Sequence, residues 1–157
     1  MSDVFFILTF VAALGSALNA GLFFIFSVCV MQALGLLAPA EGIRAMQSIN
    51  RTIINPLFLG AFLGTALLSL AIIVVAIVYW GTGTGWAIAG AVTYLVTSIA
   101  VTRAFNIPLN NAVDHANPGD SESVRIWARY LDIWTKWNHV RSVGTLVSTA
   151  FFILALA

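Results

Sequence analysis

Residues 56–105 read PLFLGAFLGTALLSLAIIVVAIVYW (56–80), GTGTG (81–85) and WAIAGAVTYLVTSIAVTRAF (86–105). No Asp, Glu, Lys or Arg occurs from Thr52 through Thr102, a run of 51 residues. A helix crosses the ~30 Å hydrocarbon core of a bilayer with about 20 apolar residues. The run therefore holds two crossings, at residues 56–80 and 86–105, and the glycine-rich pentapeptide between them is a tight turn. No strand precedes those glycines and no lysine follows, so they do not read as a phosphate cradle.

The flanks repeat the pattern. No charge lies between Asp3 and Glu41, and none follows Arg141. The first gap carries a span over residues 4–37, about 50 Å of helix, which must tilt, kink or protrude. The second carries a final span over residues 137–156. Composition agrees: 61% of the 157 residues are hydrophobic and 8% are charged, against about 25% charged in a soluble domain. Mean hydropathy is +0.98. The N-terminus lacks the basic region of a cleavable signal peptide. These features describe one all-α transmembrane domain over residues 1–157, an integral membrane four-helix bundle. An amphipathic helix, roughly Glu41–Ile54, fills the first loop after Pro39. Asn55-Pro56 marks a break or kink before the second span, and Asn106-Ile-Pro-Leu-Asn110 ends the third. The last helix starts near Ser121 and runs without a breaker, so its first half stands in water or at the interface.

Charge excludes some function classes. The net charge is +1, which suggests no nucleic-acid partner. Cys29 is the single cysteine, so there is no dithiol chemistry. No HExxH, cysteine pair or carboxylate cluster points to a metal. His115 and His139 are not placed to hold a haem at mid-depth. No carboxylate lies in mid-span, which argues against a proton-coupled transporter. Gly60/Gly64 and Gly144/Ser148 are small-xxx-small pairs that point to close packing inside the bundle ahead of an interface between copies, leaving a homo-oligomer open. Asn19, with Ser16 and Ser27 near it, reads as interhelical glue.

The polar residues that remain are spaced as faces. Trp127, Tyr130, Trp134, Asn138 and Arg141 lie three or four apart on the last helix, which is one helical stripe. Sixteen residues follow Arg141, about 24 Å of helix, so Arg141 sits roughly one turn inside the boundary. It either snorkels to headgroups or points into a polar cavity. In the first loop Arg44, Gln47 and Arg51 share a face that Asn55 extends, with Asn50 nearby. That face either meets water or joins the cavity. Asn106, Asn110 and Asn111 add amides at the same end of the third span. A pocket of Trp, Phe and Tyr with amides and arginines suits a planar aromatic or quinone-like molecule with oxygen substituents.

Three segments, Arg44-Ala-Met-Gln-Ser-Ile-Asn50 with Asn55-Pro56, Asn106-Ile-Pro-Leu-Asn110-Asn111, and Trp134-Thr-Lys-Trp-Asn-His-Val-Arg141, resemble the anthrone oxygenase-like family of small membrane proteins. The resemblance extends over nearly the whole chain and its four-span layout. It implies oxidation of an anthrone-type aromatic by O₂ with no cofactor. In that chemistry Arg141 and Arg44 would stabilise an enolate, Trp134 and Trp137 would stack on the ring, and Asn106, Asn110 and Asn138 would orient oxygens. Gln47, Asn50 and Asn55 would add binding amides, and His139 would be the candidate base. The expected partners are membrane lipid and a hydrophobic aromatic small molecule. The competing reading is a non-catalytic small-molecule- or lipid-binding membrane protein or accessory subunit.

Orientation follows from the basic residues. All seven, Arg44, Arg51, Arg103, Arg125, Arg129, Lys136 and Arg141, fall in or beside the two longer loops. The positive-inside rule makes that side cytoplasmic, in a multi-pass protein whose expected setting is the bacterial inner membrane. Both termini and Tyr79, Trp80 and Trp86 then lie on the opposite face. A reporter active only in the cytoplasm should be silent when fused to either terminus; activity there overturns the topology.

Overall fold

The structure is a computed structural model and describes residues 3–157. Five helices account for nearly all of it: α1 (Asp3–Gly35), α2 (Pro39–Ile53), α3 (Pro56–Val78), α4 (Thr84–Asp114) and α5 (Ser121–Leu156). No strand occurs among the described residues. All but α2 are long and apolar enough to cross a membrane. The chain is thus an all-α, multi-pass membrane protein. The side carrying the termini and the α3–α4 turn is called the turn end below, and the opposite side the loop end.

The connections follow local chemistry. Pro39 is the first residue of α2, where its missing N–H is no loss. Asn55 has extended backbone angles, and its side chain accepts hydrogen bonds from Leu57 N and Phe58 N, both at 3.1 Å. Asn55-Pro56 is therefore a true break, with the asparagine as N-cap and the proline opening α3. In the turn, Gly83 takes a left-handed φ of +81°, which a side chain would strain.

The third span departs from the sequence expectation. Helix continues past Phe105 and through Pro108 to Asp114. Wide π-type turns at Leu95–Ala100 and Thr102–Asn106 precede the proline. A proline inside a regular helix clashes with the carbonyl four residues back and wastes a hydrogen bond. The looser ladder of the π turn just before it relieves both conflicts, so Asn106-Ile-Pro-Leu-Asn110 does not end the helix. Further π-type turns lie at Phe26–Val30 in α1 and Tyr130–Trp134 in α5.

The long helices close a ring in which α1 packs on α5 and α3, and α4 packs on α5 and α3. At the turn end the core is built largely of small residues, Ala12, Ala13, Ala76, Ala87, Ala91 and Ala155, around Phe5, Ile72 and Phe152. Small side chains let helix backbones come close. Polar side chains then bond across the gaps: Ser16 Oγ donates to Thr145 O (2.9 Å), Ser148 Oγ to Gly90 O (2.8 Å), Tyr94 OH to Phe62 O (2.9 Å), and Asn19 Nδ2 to Ala61 O (3.2 Å). At the loop end the core is bulky, with Met31, Leu34, Ile43, Met46, Trp127, Tyr130 and Trp134. α2 packs there against the ends of α4 and α5.

The two small-residue pairs behave differently. Gly144 backs directly onto Thr97, so it serves close packing of α5 on α4. Gly60 and Gly64 have nothing within 4 Å of where a Cβ would stand. They face away from the other helices, which corrects the expectation that they pack inside the bundle. Gly144→Leu should lower stability by about 1–3 kcal/mol. Gly60→Ala and Gly64→Ala should leave it unchanged or raise it by up to about 1 kcal/mol each. Unfolding in mixed micelles measures both.

Candidate functional site

The stripe on α5 turns inward along its whole length. Trp127, Tyr130, Trp134, Asn138 and Arg141 are all buried. Trp127 stacks on Tyr130 and Tyr130 on Trp134, with ring centroids 5.7 and 5.6 Å apart, and Phe26 of α1 tilts against Trp134 at 6.1 Å. Of the two fates open to Arg141, the structure takes the inward one. The side chain is 7% exposed and does not reach for headgroups.

Asn138 makes that burial possible. Its Nδ2 donates to Phe23 O and to Ser27 Oγ on α1, both at 2.7 Å. Its Oδ1 accepts from Arg141 Nη2 at 2.5 Å. Arg141 Nη1 donates to Thr102 Oγ1 on α4 at 3.0 Å. The guanidinium carbon lies 4.3 Å from the Phe23 ring centre and 5.2 Å from that of Trp134, within cation–π range. No carboxylate pairs with it. Among the described residues the one ion pair is Lys136–Asp132, on the surface. Arg141 Nε and Trp134 Nε1 are buried donors with no protein acceptor. Such groups cost about 1–3 kcal/mol each if left unmade.

These groups line a cavity of about 340 Å³ at the loop end. α1 contributes Leu22, Phe23 and Phe26; α2 contributes Met46, Ile49, Asn50 and Ile53; Ile54 follows. Phe58, Leu59, Phe62 and Leu63 come from α3, Thr102, Ile107 and Asn110 from α4, and Trp134, Asn138 and Arg141 from α5. The wall is mostly apolar and aromatic, with its polar groups on α4 and α5 and, from α2, Asn50. Three of the four π-type turns supply a lining residue: Phe26, Thr102 and Trp134. A π turn re-aims side chains that a regular helix would carry elsewhere, and such turns are frequent at functional sites.

The structure sorts the other candidate residues. Asn110 lines the cavity, and its Oδ1 accepts from Tyr130 OH at 3.0 Å. Asn50 lines it too, and donates to the Asp114 carboxylate at 2.9 Å. Gln47 is outside the lining. Its amide donates to Val113 O and Ala116 O, both at 3.0 Å, and fastens α2 to the end of α4. Asn55 is the cap described above. Asn106 is buried beside the stripe, donating to Trp134 O at 3.3 Å, with its Oδ1 unpaired. Trp137 stacks flat on Phe105 at 3.5 Å, outside the cavity. Arg44 and His139 are exposed and outside the lining. His139 follows Asn138 by one residue, about 100° round the helix, so the turn that buries the amide carries the imidazole away. Among the described residues no three His, Cys, Asp or Glu side chains gather as a metal site would need.

Sequence reasoning missed Thr102, the phenylalanines 23, 26, 58 and 62, and the leucines on α3. Phe58 and Phe62, one turn apart and stacked at 5.4 Å, were the available signal. α3 is apolar all round, so nothing marked which of its faces turns inward.

A model of the family described as anthrone oxygenase matches residues 44–151. The match includes every lining residue from α2 through α5 and omits those of α1. The chain belongs to the anthrone oxygenase family. No curated protein and no solved structure matches it. Within the matched residues, Asn106-Ile-Pro-Leu-Asn110 runs from the last residue of a π-type turn into regular helix in α4, and residues 134–141 are the part of α5 that carries Trp134, Asn138 and Arg141.

Removing Asn138 leaves a buried charge short of an acceptor and breaks the tie to α1. Asn138→Ala should cost about 3–5 kcal/mol. Arg141→Met, which replaces the charge with an apolar chain of similar length, should change stability by less than about 1.5 kcal/mol. The combination should recover much of the loss. A double-mutant cycle in micelles measures the coupling.

Proposed function

We propose that the loop-end cavity binds a planar aromatic as its oxyanion and presents it to O₂, as expected of an anthrone-type oxygenase. The observation that carries this reading is Arg141: a buried guanidinium without a carboxylate, at the wall of an otherwise apolar cavity. A charge placed this way is expensive and attracts a ligand that brings the missing negative charge. Arg141 Nε and Trp134 Nε1 are donors in want of an acceptor, and an enolate or phenolate oxygen would meet both needs. Phe23, Phe26, Phe58 and Phe62 suit a flat ring system.

The chemistry balances without a further reductant. An anthrone carries a CH₂ between two aryl rings, in conjugation with its carbonyl, and loses a proton from that carbon to give an electron-rich enolate. The enolate passes one electron to O₂, and the radical pair combines at the same carbon. Protonation gives a hydroperoxide. Loss of the remaining C–H proton with cleavage of the O–O bond leaves a ketone and releases one water. One O₂ enters, one water leaves, and the CH₂ becomes C=O. Arg141 stabilises the anion on which the sequence depends, and the apolar wall keeps water from the reacting carbon.

No histidine or carboxylate lines the cavity. Ionisation is then driven by the field of Arg141. The carboxylate bonded to a lining residue is Asp114, through Asn50, and it is exposed to water. Asp114 rather than His139 is then the proton acceptor. The same lack of a lining base favours a second reading, a protein that binds such aromatics without turning them over. In either case we place the loop end in the cytoplasm and the protein in a bacterial inner membrane.

Purified full-length protein in lipid nanodiscs, given an anthrone under air, should consume O₂ and form anthraquinone faster than protein-free nanodiscs. Arg141→Met should lower that rate by about 10²–10³-fold, the effect of losing an oxyanion donor, while His139→Ala should stay near wild type. Uptake no faster than the blank defeats the oxygenase reading. Binding that persists without uptake supports the second.

A further inference from the structure

Three residues that line the cavity are also open to the outside: Ile54 (69% exposed), Leu63 (46%) and Ile107 (43%). All are aliphatic, and they come from the link just before α3, the body of α3 and the loop-end part of α4. The polar lining residues Asn50, Trp134, Asn138 and Arg141 are buried. On α3, Ala61 faces α1, since its carbonyl accepts from Asn19. Leu59 and Leu63 lie about 160° from it around the helix, toward α4. The contacts of α3 with α4 fall chiefly on residues 84–100 of α4, where Tyr94 OH donates to Phe62 O. The cavity's mouth is therefore a slot between α3 and α4. Leu63 stands seven residues beyond Pro56, about 10 Å along the helix, at the depth of lipid tails.

The other approach is covered. α2 lies over the loop end with Met46, Ile49 and Ile53 against the cavity. Gln47 bonds to Val113 O and Ala116 O, and Asn50 bonds to Asp114. These bonds fasten the roof to α4, whereas among the described residues no hydrogen bond between side chains joins α3 to the loop-end part of α4.

We infer that the ligand enters sideways from the bilayer, through the slot between α3 and α4, with its oxygen-bearing edge leading. This rests on the reading of the cavity as an aromatic oxyanion site. It narrows the ligand to lipophilic hydroxyaromatics that dissolve in the membrane as neutral molecules and ionise only on reaching Arg141. Groups on the trailing edge remain among Ile54, Leu63 and Ile107, so apolar substituents fit there and a charge does not.

Order of addition tests the route. The protein carrying Leu63→Cys with Cys29→Ala, in nanodiscs, is given 1,8-dihydroxyanthraquinone, and the absorbance of the bound phenolate is followed. Capping the introduced thiol with a bulky maleimide before the probe should slow uptake at least about tenfold; capping after loading should slow release by a similar factor. Ile107→Cys, from the opposite lip, should behave alike. Gln47→Ala, which loosens the roof, should leave both rates near wild type. An analogue with a sulfonate on the edge away from its hydroxyls should not load. Unchanged rates after capping at both lips, or loading of the sulfonate at the parent's rate, overturn lateral entry while leaving the site intact. Failure of the uncapped protein to bind the probe at all overturns the oxyanion site itself and this inference with it.

Discussion

The bond from Asn138 to Arg141 is the constraint around which the loop half of the molecule is arranged. An arginine buried inside a membrane span is costly. Here the cost is offset piecemeal. Asn138 commits its oxygen to the guanidinium and its nitrogen to two acceptors on α1, and Thr102 on α4 takes another guanidinium N–H. Two aromatic rings attend the cation. One charge thereby fixes the positions of three helices and still has a donor to spare.

That arrangement needs room, and the room has a structural origin. Small alanines make up much of the core at the turn end, while tryptophan, tyrosine and methionine fill it at the loop end beside the cavity. π-type turns add a second adjustment where Phe26, Thr102 and Trp134 meet the cavity. Packing and helix geometry thus agree on one location, and the unpaired donors lie there as well. A cavity in lipid that served only as a packing defect would have no use for a charged wall.

Much of this was legible in the sequence, for definable reasons. Spans show through the absence of charge, because the bilayer penalises each exception. The α5 stripe shows through its three-and-four spacing, and the 100° step from Asn138 to His139 already separates the amide from the imidazole. Other features left no such trace. A π turn has no composition of its own, so helix through Pro108 could not be read from residues that usually end one. Asn55, Gln47 and Asn138 are all amides in one-dimensional view; their partners make one a cap, one a fastening and one a lining group. The inward face of α3 was hidden by its uniform apolarity. Gly60 and Gly64 have the spacing of an internal contact, but their direction depends on where the neighbouring helices stand.

The position of Arg141 also bears on how the chain is made. α5 follows α1 and α4 in the chain, so its buried arginine emerges after both of them. Taken alone, that segment is a poor candidate for release into lipid. By the time it emerges, α1 and α4 have been synthesised, with Phe23 O, Ser27 and Thr102 ready to receive it. Translation order therefore delivers the costly helix to acceptors already in the membrane, and the polar contacts that shape the cavity also act as a late checkpoint in biogenesis.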